Sequence, residues 1–339
     1  MRQVWVTRHG GPDVLEVREA LDPQPGPGEV RIRVAAAGVN FADVMIRIGI
    51  YPHPPKLPAV IGYEVAGVID AVGKDAAGPP VGARVLALLP RYGGYSEAAV
   101  VPAGDALVIP DALSFEQAAA VPVNYLTAWL MLVRIGNVQP GERVLVHGAA
   151  GGVGQAAVQI CRWRGAQVIG TASAAKHARL KASGVAHCID YRTEDFEHEV
   201  GEITAGQGVD VVLDPIGGKS WAKSQRCLAP LGRLCLFGAS SMVSGSRRNL
   251  WAVLKSLLAM PRFKPLDLME HNHGVFGLSM GELGHKSPLC VSMLGEILQL
   301  VRDGQLTPEV DRVFPFAEAG DAHSYLQRRQ NFGKVILAP

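Results

Sequence analysis

The sequence predicts an α/β protein of two domains, a doubly wound domain inserted into a β-rich one. Three observations predict it. Residues 1–123 carry many short valine-, glycine- and proline-rich strand patterns and few helical ones. Residues 124–262 alternate strand-like and helix-like segments. Residues 263–339 end in helix, strand, helix and strand, and the simplest architecture returns them to the first domain.

The elements read in order as follows. MRQVWV alternates as a strand and breaks at Gly10-Gly11-Pro12. EVRIRVAAAGV and EVAGVIDAVG are longer strands, and ARVLALL and YSEAAVV shorter ones. FEQAAAVPVNYLTAWLMLVRIGNVQPG forms helical segments around Pro122 and stops near Pro140-Gly141. RVLVH is a strand, GAAGGVG a glycine turn and QAAVQICRWRG a helix. That helix has an apolar face of Val153, Ala156, Ala157, Ile160 and Trp163. AQVIG, HCIDY, VDVVLD and RLCLFG follow as strands, with AKHARLKASG and SWAKSQRCLA as helices. SMLGEILQLVRDG, DRVFPF, DAHSYLQRR and GKVILAP close the chain. Leu250–Met260 is apolar but too short to span a bilayer, and it contains Lys255. It reads first as a buried or interfacial helix, and second as a surface for weak membrane or protein contact.

Composition narrows the classes. The 339 residues suffice for two domains with a core each. At 48% hydrophobic and 19% charged, the chain is globular rather than disordered. A net charge of +2, from 33 basic and 31 acidic side chains, offers no extended surface for nucleic acid. The five cysteines (Cys161, Cys188, Cys227, Cys235 and Cys290) form no CxxC pair. They predict neither a zinc cluster nor a disulfide framework, and they fit a cytoplasmic setting. The first residues lack the long apolar run of a signal peptide.

The strongest local signal is RVLVHGAAGGVGQAAVQI. Gly148, Gly151 and Gly154 are spaced GxxGxxG, with Gly152 between, in the order strand, turn, helix. Small residues there let backbone approach a pyrophosphate, and the first helical amides donate to its oxygens. Ala150, Gly151, Gly152 and Val153 are the candidate cradle. The spacing is not the usual GxGxxG, so the motif stands on its flanking elements. After the next strand come Thr171, Ser173 and Lys176, with no acidic residue. Ser173 and Lys176 suit a ribose phosphate that a carboxylate would repel, which predicts NADPH rather than NADH. Tyr191 and Arg192, after the third strand, are further candidates.

AAAGVNFADVMIRIGIYP, LPAVIGYEVAGVIDAVG, the glycine segment, VDVVLDPIGG and NFGKVILAP together resemble the medium-chain dehydrogenase/reductase superfamily. The branch they are similar to holds quinone oxidoreductases and reductases like the synaptic vesicle membrane protein. The resemblance spans almost the whole chain. It implies a GroES-like catalytic domain of residues 1–123 and 263–339, and a Rossmann-like NADPH-binding domain of residues 124–262. It also implies that zinc is not used. Zinc members have a cysteine where this chain has Asn40, and a Gly-His-Glu where it has Gly62-Tyr63-Glu64. Their cysteine-rich structural insert is missing too. Glu64 is left to anchor local backbone or an interdomain contact.

The same resemblance assigns residues. Asn40 lies beside the nicotinamide and substrate, Tyr51 contributes to the substrate pocket, and Asp43 orders their loop. Thr127, Phe237, Gly238, Phe276 and Gly277 flank the nicotinamide side. Asn331 and Lys334 match a further cofactor-binding region, with an exposed strand position as the other reading of Lys334. A homodimer through the cofactor domains is implied as well. The activity implied is hydride transfer from NADPH to a quinone or a small α,β-unsaturated carbonyl compound. Asn40 or Tyr51 would polarise an oxygen, and neither has an acid–base partner in the linear sequence. The alternative is an NADPH-binding interaction or membrane-associated protein with little turnover. No hydrolase elbow or Cys–His pair competes with these readings. His271 and His273 lack further local ligands, and Asp210 and Asp214 flank a strand in structural roles.

Overall fold

In β3 (Glu29–Val39) side chains alternate: Val30, Ile32 and Val34 are buried while Glu29, Arg31 and Arg33 are not. That two-residue period is how one sheet face meets a core and the other meets water. The computed structural model describes residues 1–339, apart from the side chains of residues 284–287. In chain order it has β1 (Arg2–Val6), β2 (Leu15–Glu19), β3, α1 (Phe41–Ile48), β4 (Ala59–Val60), β5 (Glu64–Val72), β6 (Arg84–Leu88), β7 (Ala98–Pro102) and β8 (Leu107–Val108). Next come α2 (Phe115–Ala119), α3 (Pro122–Trp129), β9 (Arg143–His147), α4 (Gly152–Arg164), β10 (Gln167–Ala172), α5 (His177–Ala182) and β11 (His187–Asp190). Then follow α6 (Phe196–Ile203), β12 (Val209–Asp214), α7 (Lys219–Arg226), β13 (Leu228–Leu236), α8 (Leu250–Leu258), α9 (Pro265–His271) and β14 (Gly274–Gly277). The chain closes with α10 (Ser287–Arg302), β15 (Val310–Pro315), α11 (Ala319–Gln327) and β16 (Lys334–Ala338).

Two compact units result. The first holds Met1–Leu126, Ser246–Arg248 and Met280–Pro339. Its larger sheet runs β15-β16-β3-β5-β6-β8, with β7 also on β3, and a smaller sheet runs β2-β1-β4. β16 lies antiparallel to β3 with Val335 opposite Val39, so the C-terminal segment completes this unit as expected. Ile32, Ile69, Val85, Val335 and Leu337 are among its fully buried core. Burying each such side chain is worth roughly 1.5–3 kcal/mol.

The second unit holds Thr127–Gly245 and Asn249–Ser279. Its sheet runs β11-β10-β9-β12-β13-β14 with every pair parallel. Strand order reverses between β9 and β12, which marks the switch point of a doubly wound sheet. β9 reads as a near-continuous apolar run because helices cover both faces of such a sheet.

Three expectations need correction. The second domain boundary falls at 279/280 rather than 262/263, because α9 and β14 belong to the Rossmann-like unit. β14 is four residues long with a glycine at each end, too short for a period to emerge. α8 is not buried: Leu250, Trp251, Leu254, Leu257 and Leu258 are 45% to 80% exposed. A helical period tells which residues share a face, not whether anything covers it. In α4 the burial exceeds one face, since Gly154 through Cys161 are all buried, Gln155 and Gln159 included. Among the described residues, no helix is long and apolar enough to cross a membrane.

Candidate active site

The Rossmann-like unit contributes a turn and a helix start. Gly148 has φ of +64°, a conformation glycine adopts without strain, and Gly151 N–H closes the turn on Gly148 O at 2.8 Å. α4 then begins at Gly152, so the amides of Gly152 and Val153 stand in a first turn, where the helix itself supplies no acceptor. Gly154 is required for a different reason. A Cβ there would sit 2.3 Å from Gly148 O and 2.7 Å from Ala149. Helix and turn therefore meet backbone to backbone, with Ala150, Gly151, Gly152 and Val153 at the junction, a candidate cradle whose first-turn amides could hold an anion.

A buried chain of hydrogen bonds underlies the turn. Gly148 N–H donates to Thr171 Oγ1 at 3.2 Å, and Thr171 Oγ1 meets His147 Nδ1 at 3.2 Å. His147 Nε2 meets Ser224 Oγ at 3.1 Å, and Ser224 and Ser220 each donate to Asp214 Oδ2 at 2.7 Å. Because Ser224 spends its proton on Asp214, His147 must donate from Nε2 and accept at Nδ1. Burial lowers the His147 pKa, with Asp214 opposing the shift. Sequence patterning does not single out His147; a lone polar residue closing an apolar strand is the available signal. Asp214 was expected in a structural role and has one, also accepting Ile216 N–H at 2.7 Å.

Most of this unit's other cofactor candidates follow the C-terminal ends of its parallel strands. Ser173 and Lys176 follow β10, both half-buried, and no carboxylate occurs between Thr171 and Ala182. Tyr191 and Arg192 follow β11 and are exposed, with Arg192 N–H on Asp190 Oδ1 at 3.0 Å. Phe237 and Gly238 follow β13, and Phe237 N–H donates to Asp214 O at 3.2 Å. Phe276 and Gly277 lie on β14 opposite Cys235 and Leu236. Thr127 is buried in α3. The glycine turn, Ser173 with Lys176, and Phe237 with Gly238 thus follow the ends of strands of one sheet.

The GroES-like unit contributes a buried polar cluster. Asn40 follows β3 as the N-cap of α1, and Asp43 Oδ2 accepts from Asn40 N–H at 2.8 Å. Asn40 Nδ2 donates to Glu64 Oε1 at 2.9 Å, and Glu64 Oε2 accepts Val123 N–H at 2.7 Å. Lys334 Nζ reaches Glu64 Oε1 at 2.5 Å, Asn40 Oδ1 at 2.7 Å and Asn124 Oδ1 at 3.4 Å. Lys334 is only 2% exposed. This corrects one reading of Lys334: it is no exposed strand residue, and its ammonium meets three acceptors of its own unit. Asn331 is also buried, with Nδ2 on Gly333 O at 2.8 Å. Tyr51 packs half-buried against the β-domain core. Asp43 does order its loop, and burial pushes its carboxyl up to about 7, against the Asn40 amide, Tyr95 and Lys334.

Where zinc relatives place ligands, this chain has Asn40 and Tyr63, and Glu64 is engaged by Lys334 and backbone. Among the described residues, no three His, Cys, Asp or Glu side chains converge on a metal geometry.

Comparison with known proteins agrees with this geometry. A model of the alcohol dehydrogenase GroES-like domain matches residues 26–111, and one described as zinc-binding dehydrogenase matches residues 183–337. The human synaptic vesicle membrane protein VAT-1 homolog is 42% identical, over 100% of this chain and 86% of its own length. A quinone oxidoreductase of Pseudomonas aeruginosa is 36% identical, over 100% of this chain and 99% of its own. The crystal structure of Escherichia coli quinone oxidoreductase complexed with NADPH superposes with a TM-score of 0.88 at 32% identity, covering all of both chains. With the fold, the cradle and the ligand-poor zinc position agreeing, this chain belongs to the medium-chain dehydrogenase/reductase superfamily, in its zinc-independent branch of quinone oxidoreductases and VAT-1-like proteins.

Proposed function

We infer that this protein is an NADPH-dependent, zinc-independent oxidoreductase that reduces quinones or small α,β-unsaturated carbonyl compounds. The observation that carries the reading is the cradle at the start of α4, followed by Ser173 and Lys176 where a carboxylate would repel a phosphate. When bound, NADPH supplies the hydride. The chain's own residues bind, orient and polarise. The amides of Gly152 and Val153 hold pyrophosphate oxygens. Ser173 donates to the ribose phosphate, and Lys176 and Arg192 balance its charge. Tyr191, Phe237, Gly238, Phe276, Gly277 and Thr127 line the rest of the cofactor. Asn40 donates to an oxygen of the substrate, Tyr51 gives the pocket an aromatic wall, and solvent supplies the proton.

The test follows loss of reduced-nicotinamide absorbance with a panel of quinones and enones, with product analysis, and NADH run beside NADPH. Turnover with NADPH and reduced products is expected. Lys176→Ala should raise the NADPH KM about tenfold, the size of a charge-assisted hydrogen bond, and leave NADH unchanged. NADPH binding without turnover on any substrate would instead favour the second reading, an NADPH-binding interaction protein. The exposed apolar face of α8 supports that alternative, with Trp251 80% exposed. A homodimer through an open edge of the Rossmann-like sheet is also proposed, supported by β11 and β14 ending that sheet.

A further inference from the structure

An ammonium can only donate and a carboxylate can only accept. The Asn40 amide lies between one of each, with Lys334 Nζ at its Oδ1 and Glu64 Oε1 at its Nδ2. Turning the amide over would oppose both charged partners at once, so its orientation is dictated chemically. Lys334 and Glu64 are bonded at 2.5 Å and nearly sealed from water, with side chains 2% and 0% exposed. In such surroundings the fields of both groups are weakly screened. The cation at Oδ1 draws electron density toward that oxygen and strengthens the amide as a donor. One Nδ2–H remains outside the cluster. It is the donor that the amide has left to offer.

We propose that Lys334 and Glu64 are positioning residues that lock Asn40 as a donor-only electrophile for the substrate's carbonyl oxygen. The proposal rests on the reading of Asn40 as a substrate-facing residue. It defines the substrate by what its oxygen does. In an enone, the hydride forms a C–H bond at the β carbon, and its electron pair displaces the π pair toward the carbonyl. The oxygen becomes an enolate oxygen, and water then protonates the α carbon. The products are the saturated ketone, NADP⁺ and the hydroxide that water leaves behind. Negative charge grows on the oxygen during the transfer, so a fixed donor there gains strength in the transition state. A buried lysine in this way takes over, through an amide, part of the polarising work that a Lewis acid performs elsewhere.

The experiment compares Asn40→Ala, the paired variant Glu64→Gln/Lys334→Met, and the triple variant. The pair is removed together so that no single charge is left buried. NADPH Kd is read by nucleotide fluorescence, and hydride transfer by rapid mixing over enones graded in ring-substituent electron demand. Asn40→Ala and the paired variant should each lower kcat by about 10- to 100-fold. NADPH Kd should stay within about threefold. The triple variant should lose no more than the worse of the two, because both act through one donor. The rate should depend more steeply on enone electronics in both, a change that mere loosening of the fold does not produce.

A paired variant with wild-type kcat beside an impaired Asn40→Ala overturns the positioning role and leaves the reading of Asn40 standing. Wild-type kcat in Asn40→Ala overturns that underlying reading. An NADPH Kd raised about 30-fold with kcat unchanged would return Lys334 to the cofactor. Should the paired variant not fold, Glu64→Gln alone carries the test. The substituted side chain can turn an N–H toward the Asn40 amide, so the same kcat loss and steeper dependence are expected, and an unchanged kcat refutes the proposal.

Discussion

Asp43 shows how one buried carboxyl couples the site to pH. It is fully buried on α1, with Oδ2 accepting from Asn40 N–H and from Tyr95 Oη at 3.1 Å. Among the described residues Oδ1 has no partner, which suits an atom that carries the proton itself. Burial raises the carboxyl to about 7, from an ordinary value of 3.8. A raised carboxyl stabilises the fold fully below its unfolded pKa, and that stability is lost as pH climbs through the folded value. The window therefore runs from about pH 4 to about pH 7. His323, which meets Tyr95 Oη at 3.2 Å, acts in the opposite direction. Burial holds its imidazole well below the usual range, so its contribution is lost as pH falls below the unfolded value. Comparing variants separates the two. Asp43→Asn has no proton to lose, so it should gain on wild type by on the order of 2 to 3 kcal/mol between pH 5 and pH 8. Denaturant unfolding at both pH values measures this, and a constant difference between variant and wild type would show that Asp43 is ionised throughout.

At the scale of elements, the turn between β9 and α4 depends on the absence of one methyl group. Gly154→Ala would place a Cβ 2.3 Å from a backbone carbonyl, which cannot swing aside as a side-chain tip can. The turn must move, at a cost of roughly 1 to 3 kcal/mol. NADPH Kd should rise at least about tenfold, or about 1.4 kcal/mol. Gly201→Ala in α6 is the control, since nothing among the described residues lies within 4 Å of its added Cβ. There the better helix propensity should stabilise by roughly 0.5 to 1 kcal/mol with Kd unchanged. Equal Kd values in the two variants would remove Gly154 from the account of the cradle. The turn was legible in the sequence because its chemistry is local: strand, glycines and helix follow one another within residues 143–164. The strands β3, β5, β9 and β12 were legible through period-two patterns or continuous β-branched runs. The Asn40 cluster was legible only as separate residues, since Lys334 lies 294 positions from Asn40 and 270 from Glu64. Which polar groups meet at such separation is decided by strand pairing, here β16 on β3 and β3 on β5. β14 and the exposure of α8 stayed hidden because short strands have no period and an apolar face does not reveal its cover.

For the whole molecule, the two units bury separate cores, Ile32, Ile69 and Leu337 in one and Leu145, Ile169 and Val212 in the other. Separate cores permit separate openings, each with its own free energy. The proposed cradle belongs wholly to the second unit, so NADPH held there should stabilise what it binds by about 2.7 kcal/mol at one hundred times Kd. Native-state hydrogen exchange of the full chain then distinguishes the units. Amides of β9, β10 and β12 should gain protection on NADPH addition, by up to about 100-fold. Amides of β5 and β6, in the first unit, should gain far less. The stack of Trp129 on Trp163, centroids 5.3 Å apart, gives an optical check inside the second unit, whereas Trp5 reports on the first. Denaturant midpoints followed at the stacked pair should rise with NADPH more than those followed at Trp5 in variants retaining it alone. Equal protection of β5 and β9 would mean that the chain opens as one cooperative block. Binding energy gathered at α4 would then be spread through both cores, and a mutation in either would be felt equally at the cradle.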